Sequence, residues 1–162
     1  MIMQWISVDA ATAQRVRSMD EESFFDWLDE AGSGPASFDV DKAWHAVHFT
    51  LTGDAWAPLG PFGQIVFGGE PFGEDVGYGP PRLLSPEAVV TAARALAELP
   101  PDQFESQLDF AALQAHDIYP SIWDREPDAE ELVEYVRAGY AVIRDRFTTA
   151  AGAGEGFVTC LT

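Results

Sequence analysis

An amphipathic pattern near the carboxyl end is the sequence feature that most constrains the fold. It predicts a long helix that Pro127 begins and that continues to about Ala150. Apolar residues recur along one face of this helix at the spacing of a buried stripe. They are Leu132, Val136, Tyr140, Ile143 and Phe147. Gly139 lies on the same side, where it costs about 1 kcal/mol relative to Ala but permits close approach of another backbone.

The two ends of the chain are predicted to form β-strands. Residues 1–8 are rich in bulky, β-favouring side chains. Their alternation is imperfect, as expected if both faces of the strand are partly covered. Residues 157–161 form the other terminal strand, after a glycine-rich stop at 152–156. The short apolar run 64–67 is bounded by glycines, so it also predicts a strand.

Capping residues and proline–glycine segments divide the rest of the chain into helices and loops. Helices are predicted over residues 9–18, 20–30 and 85–98, with short helical segments at 102–108 and 109–114. Loops are predicted at 32–35, 54–62 and 68–81. Together these elements indicate an α+β fold. We expect about five helices on a small, mostly antiparallel sheet that includes the N- and C-terminal strands, in one domain over residues 1–162.

The helix predicted between Asp39 and Gly53 carries most of the candidate chemistry. Asp39 suits its N-cap and Gly53 its C-terminal stop. On a helical wheel one stripe is apolar: Val40, Trp44, Val47 and Leu51. The neighbouring row is polar: Asp41, His45, His48 and Thr52. This row is predicted to lie at the border of the buried face, where a polar group can be partly desolvated and still reach a cleft.

The charge of the chain restricts the class of partner. It has 9 basic and 27 acidic residues, for a formal net charge of −18. Such a surface repels phosphate backbones and anionic membranes and favours basic partners. We therefore expect no nucleic-acid binding and no membrane association. Cys160 is the only cysteine, which fits a reducing compartment and a cytoplasmic location, and its apolar neighbours predict a small core residue.

A metal site receives little support from the residue spacing. His45 and His48 could ligate one metal with Asp41 as a third ligand, but the cysteine or histidine cluster that would complete a zinc site is missing. The alternative is that one histidine binds a backbone group at the core edge and the other is exposed. A charge-assisted Asp41–His45 pair would raise the histidine pKa. We predict neither a metal nor a cofactor.

An aromatic and polar set of residues is the stronger candidate for recognition. Its members are Trp44, His45, Tyr78, Arg82, Tyr119 and Trp123. Flat amphipathic rings and a forked cation are typical of ligand pockets and interfaces. The alternative is that the two tryptophans are core residues and that Arg82 holds Asp41 or Asp75 in a structural ion pair.

Several segments, in order along the chain, resemble one family. They are Asp39 to His45 with Phe49 to Gly53, Val66 to Gly69, Gly77 to Pro80 with Arg82, Ile118 to Pro120 with Trp123-Asp124, and Ala150-Ala151. This ordered set is similar to the YfbM-like proteins, an uncharacterised bacterial family. Pro81 and the Gly/Pro-rich 54–62 segment depart from the family pattern. The resemblance implies one α+β domain of bacterial origin and brings no activity with it.

These observations favour a non-catalytic binding module that recognises a basic protein or a small ligand. The recognition surface is predicted to combine the 39–53 helix with the Gly77 to Arg82 loop. The alternative is a small-molecule enzyme that uses His45 or His48 as general base and Arg82 as anion clamp. A metal-dependent hydrolase on Asp41, His45 and His48 ranks last. No oligomeric state is predicted.

Overall fold

Five strands form one open antiparallel sheet. The computed structural model describes residues 1–124 and 129–162. The strands are β1 (Met3–Val8), β2 (Ser37–Asp39), β3 (Glu70–Pro71), β4 (Arg82–Leu84) and β5 (Gly156–Leu161). Their order across the sheet is β2-β1-β5-β4-β3, and each neighbouring pair is antiparallel. The predicted terminal strands are confirmed and pair with each other.

Eight helices complete the fold within the described residues. They are α1 (Ala10–Arg17), α2 (Glu21–Gly32), α3 (Trp44–Thr52), α4 (Gly60–Phe67), α5 (Pro86–Ala97), α6 (Pro101–Glu105), α7 (Phe110–Ala115) and α8 (Ala129–Ala153). The α+β class is confirmed, whereas the expectation of about five helices is too low. Among these residues no helix combines the length and apolar character needed to cross a membrane.

Both faces of the sheet are covered, which explains the imperfect alternation of β1. Met3 and Trp5 belong to the larger core, where α3, α4, α5 and α8 contribute buried side chains. Ile6 and Val8 face a smaller cluster that α1 and α2 cover. Cys160 is buried in that smaller cluster, as predicted, and burial raises the pKa of its thiol to about 12.

The buried stripe of α8 organises the larger core. All five stripe residues are buried, and Tyr140 stacks on Phe104 of α6 with ring centroids 4.0 Å apart. Gly139 is where α8 meets the segment before α3: a Cβ built on Gly139 would lie 3.0 Å from the Cβ of Ala43. The predicted close approach is therefore present. Pro127, the predicted start of this helix, lies outside the described residues.

The apolar run at 64–67 is helical, so its assignment as a strand is wrong. Leu59 precedes α4 in an extended conformation, and Pro61 falls in its first turn. The indole Nε1 of Trp5 donates to the Ile65 carbonyl at 2.8 Å and ties this helix to β1. A short apolar run fits either a buried strand or a buried helix, and here the packing partners decide.

The start of the candidate helix also differs from expectation. Asp39 ends strand β2 instead of capping a helix, and its Oδ1 accepts the Asp41 backbone N–H at 2.8 Å. Asp41 has a φ of 50°, in the left-handed region, so it lies outside the helix. Consequently α3 begins at Trp44 and has no side-chain N-cap. Strand β3 falls within the segment 68–81 that is predicted as a loop, and β2 has no counterpart among the predicted elements. Each strand has three residues or fewer and is formed by pairing across the sheet.

The glycine contact between α8 and Ala43 yields a stability prediction. We expect Gly139→Leu to lower the free energy of unfolding by roughly 1–3 kcal/mol, because the new side chain meets Ala43 and Val40 in a packed core. Gly152→Leu is the matched control on the same helix, since nothing lies within 4 Å of a Cβ at that position. Chemical denaturation of both variants tests this; equal stabilities for the two variants would contradict the packing account.

Candidate functional site

His45 is buried and held through both ring nitrogens. Only 1% of its surface is exposed. Its Nδ1 accepts the Tyr119 backbone N–H at 3.0 Å, and its Nε2 lies 2.9 Å from the Ala55 carbonyl oxygen. These partners define the neutral tautomer with the proton on Nε2. Burial lowers the pKa of His45, only partly opposed by the Ala55 hydrogen bond. The ring therefore joins three distant segments, and neither nitrogen is available as a general base.

His48 is buried as completely but has a different environment. None of its surface is exposed, and within the described residues neither ring nitrogen has a hydrogen-bond partner. The ring meets Phe67 edge to face, with centroids 4.7 Å apart. Burial, assisted by nearby His45, lowers the pKa of His48 to about 4. The expectation that one histidine is exposed is therefore wrong, while the expected backbone bond is present at His45.

The residues that follow α3 form a short loop that contacts His45. We call residues 53–59 the Trp56 loop. Asp54 Oδ1 accepts the backbone N–H groups of Trp56 and Ala57, each at 2.8 Å. Trp56 is 56% exposed, and its ring contacts His45 at 4.5 Å and Phe67 at 5.5 Å between centroids. A large, partly exposed aromatic ring thus packs against the buried His45.

Asp41 is directed away from the histidines. Its Oδ2 accepts the Tyr135 hydroxyl at 2.8 Å, and the same hydroxyl oxygen accepts the Lys42 backbone N–H at 2.9 Å. Burial and the bond to Asp41 raise the pKa of Tyr135. The Asp41–His45 pair considered from the sequence is therefore not formed, because the left-handed turn at Asp41 breaks the helical spacing on which it depended.

Within the described residues Arg82 donates to backbone carbonyls and forms no ion pair. Its Nε donates to the Gly68 carbonyl and its Nη2 to the Gly69 carbonyl, each at 3.1 Å. The Asp75 Oδ1 accepts the Gly77 and Gly79 N–H groups, which fixes the turn that exposes Tyr78. The anticipated Arg82 pairing with Asp41 or Asp75 is wrong. A guanidinium that donates to the two residues before β3 has fewer N–H donors left to bind an anion.

The structure brings three of the six predicted recognition residues together. Trp44 stacks on His45 at 4.7 Å and on Tyr119 at 6.2 Å between centroids, and the Tyr119 hydroxyl accepts the N-terminal ammonium at 3.1 Å. Trp123 is buried, and its Nε1 donates to the Ile118 carbonyl at 2.5 Å. Tyr78 and Arg82 make the separate contacts described above. The three grouped residues pack against one another.

A surface groove that the sequence reading missed lies beside α2. One depression of about 270 Å³ is lined by apolar residues, including Phe24, Phe25, Phe72 and Val76. A second, of about 350 Å³, continues along α2 and shares Phe25 and Val76 with the first. We call the pair the α2 groove. Phe24 and Phe72 meet edge to face at 5.5 Å, which fixes α2 against the segment after β3.

The rim of the α2 groove is mainly acidic. Its carboxylates are Asp20, Glu21, Asp29 and Glu74, all on exposed residues. The one basic residue at the rim, Arg17, pairs with Glu70. Hydrogen bonds from Ser23 hold the pKa of Asp20 below its usual range, so that carboxylate stays charged. The acidic residues of α2 were a visible sequence signal, but their apolar neighbour at 72–76 comes from a distant part of the chain.

Metal binding gains no support from the side-chain geometry. Within residues 1–124 and 129–162, no three His, Cys, Asp or Glu side chains are grouped so that they could hold a metal ion. In particular, Asp41 does not join His45 and His48.

The comparisons with known proteins identify the family. A family model described as a domain of unknown function, DUF1877, matches residues 1–160. The chain belongs to the DUF1877 family. The solved structure of YfbM from Escherichia coli, described as a protein of unknown function, aligns with a TM-score of 0.72 over 98% of each chain at 20% sequence identity. No curated protein matches this DUF1877 chain. The predicted YfbM-like membership is confirmed, and the structural likeness establishes the fold alone.

The two histidines of α3 give different predictions for the effect of a His→Phe substitution on stability. His45→Phe leaves the Tyr119 N–H and the Ala55 carbonyl without a partner, so we expect it to cost roughly 2–4 kcal/mol. His48→Phe removes two nitrogens that bind nothing in the described residues, so we expect a change within about 1 kcal/mol. Urea unfolding at neutral pH measures both. Equal losses would show that the hydrogen bonds of His45 are not what distinguishes the two sites.

His48 also predicts a pH dependence of stability. Its pKa is about 4 in the folded state against 6.5 in the unfolded state, so the unfolded chain binds the proton more tightly. The part of the free energy of unfolding that depends on neutral His48 is fully present above about pH 6.5. It is lost as the pH falls toward 4, by roughly 1 kcal/mol per pH unit. We expect wild type to lose more stability than His48→Phe over this range. If the stability of the two proteins fell in parallel as the pH is lowered, the lowered pKa of folded His48 would be contradicted.

Proposed function

We propose that this chain is a binding module whose α2 groove recognises a basic protein segment. The observation that carries the proposal is a pair of neighbouring depressions that share Phe25 and Val76 and whose lining includes four carboxylates. Apolar floors supply the area that a peptide buries, and a charged rim selects the sign of its neighbours. The net charge of −18 adds a long-range field of the same sign.

The composition of the groove supports a more specific class of ligand. Phe25 is 40% exposed and sits where the two depressions meet, which suits an anchor for an apolar or aromatic side chain. Both Glu21 and Glu74 line the first depression, one from α2 and one from the segment after β3. A segment with one large apolar residue flanked by Lys or Arg would fit both features. The proposal thus keeps a basic partner and moves the surface from α3 and the Gly77 to Arg82 loop to α2.

Matched charge reversals test this proposal. A peptide array of Lys- and Arg-flanked apolar sequences supplies the probe, and the best binder is then titrated in solution. We expect Glu21→Lys with Glu74→Lys to weaken binding at least about tenfold, which corresponds to 1.4 kcal/mol. The control pair, Glu98→Lys with Asp145→Lys, changes the net charge equally at exposed positions outside the groove. We expect the control to weaken binding much less.

Two outcomes would contradict the proposal. Equal weakening by both pairs would show attraction to the overall charge without a specific site. Full binding by the groove pair would place the site elsewhere. Phe25→Ala separates the apolar contribution from the charge, since it leaves every carboxylate in place and is expected to raise the dissociation rate.

A further inference from the structure

A mostly apolar cavity lies between α1 and the junction of β4 with α5. Its volume is about 330 Å³, within the range of pockets that hold small molecules. Val8 at the end of β1, Gly156 at the start of β5, and Leu83 and Leu84 of β4 contribute to its lining. The cavity adjoins the α2 groove at Arg17, which lines both, but the two share no apolar residue.

Small residues on α1 account for the open space. Four residues of one face of this helix line the cavity, at the i, i+3, i+4 and i+7 positions. They are Ala10, Ala13, Gln14 and Arg17. The first two carry only a methyl group, whereas a closely packed contact between a helix and a sheet needs longer apolar side chains. The space between α1 and Leu83 is therefore left unfilled.

Paired backbone forms the sheet wall of the cavity. Val8 pairs with Gly156 across β1 and β5, and Leu84 pairs with Phe157 across β4 and β5. A Cβ built on Gly156 would overlap the Leu84 carbonyl oxygen, so the strands approach closely here and a larger residue does not fit. The wall is thus held by the sheet itself, and the cavity is pre-formed, as small-molecule sites usually are.

The charged groups of the lining already have partners. Arg17 pairs with Glu70, and Asp9 Oδ1 accepts the Thr12 backbone N–H at 2.7 Å as the cap of α1. Ser85 likewise accepts a backbone N–H as the cap of α5. A ligand carboxylate would have to displace Glu70 from Arg17, and a ligand ammonium would share the cavity with the Arg17 guanidinium. The lining therefore favours an uncharged ligand.

Gln14 supplies hydrogen-bonding capacity without charge. Its side chain is exposed and lines the cavity, and within the described residues its amide is bonded to no other group. A side-chain amide offers two N–H donors and one carbonyl acceptor. A carboxamide on a ligand presents the same groups and can both donate to Gln14 and accept from it.

We propose that this cavity binds a small uncharged molecule with an apolar body and one carboxamide group. The apolar body lies against Ala13, Leu83 and Leu84, and the carboxamide exchanges hydrogen bonds with Gln14. The volume suits one ring with a short alkyl chain. Recognition here depends on the lining of α1 and β4, whereas the α2 groove depends on its acidic rim, so either proposal can fail without the other.

Three ligands of one shape and different charge test the proposal. The probes 4-butylbenzamide, 4-butylbenzoate and 4-butylbenzylammonium are each titrated into the full isotope-labelled chain, while methyl resonances and ligand-to-protein NOEs are recorded. We expect the amide to saturate at about millimolar concentration, the range usual for about a dozen heavy atoms. Its NOEs should reach the methyl groups of Ala13 and Leu83. The two charged probes should bind at least about tenfold more weakly.

Variants of α1 assign the binding to the cavity. Ala13→Leu fills the space, and we expect it to weaken 4-butylbenzamide binding at least about tenfold. Ala11→Leu is the matched control, because Ala11 is exposed on the same helix and lies outside the lining. Gln14→Leu keeps an apolar wall but removes the amide, and we expect about a fivefold loss, the effect of one hydrogen bond.

Three results would overturn the proposal. They are wild-type Ala13 and Leu83 methyl signals that do not shift or that show no NOE to the amide, equal affinity for the three probes, and equal losses in Ala13→Leu and Ala11→Leu. NOEs to Phe25 and Val76 instead would place the ligand in the α2 groove and would equally contradict the proposal. The wild-type titration decides even if a variant folds poorly.

Discussion

The pairing of β1 with β5 is the interaction on which the rest of the structure depends. It joins the two ends of the chain over six residue pairs, from Met3 opposite Leu161 to Val8 opposite Gly156. Strand β2 extends the sheet beside β1, and strands β4 and β3 extend it beside β5. Trp5 extends the link beyond the sheet, because its indole bonds to α4. Both faces of the pair are covered, so each strand contributes side chains to two cores.

This arrangement separates the larger core from the proposed recognition surface. The larger core buries α3, including both histidines, between α4 and α8. The smaller core under α1 and α2 leaves Phe25 and the neighbouring groove open to solvent. Acidic side chains repel one another, and placing several of them on one helix costs stability unless a partner compensates. A basic partner bound to the α2 face would therefore relieve the repulsion among these acidic side chains.

Much of the fold could be predicted because its signals are local. Ser85 and Pro86 define the start of α5, and its Ser85 hydroxyl accepts the Ala88 N–H as a cap should. The α8 stripe and the terminal strands likewise need no knowledge of distant residues. The run at 64–67 could not be assigned this way, because Ile65 and Val66 suit a strand equally well and only the contact with Trp5 and the neighbouring helices decides.

The candidate site was harder to predict for the same reason. A helical wheel correctly places His45 and His48 near each other but does not reveal how deeply neighbouring helices bury them. The bond from Tyr119 to His45 spans 74 residues of sequence. The α2 groove depends on Phe24 meeting Phe72, which no spacing rule connects. Sequence patterns therefore identified the residues of α3 and α2 but not which of the two elements presents an open surface.

The most direct test of this account is a map of backbone amide shifts as a Lys/Arg-flanked apolar peptide is added to the isotope-labelled chain. The account predicts that the largest changes fall on α2 and residues 72–76, centred on Phe25, and that they saturate and weaken with added salt. Changes centred on α3 and residues 77–82, or spread evenly over the acidic surface, would contradict the claim that the α2 groove is the recognition site.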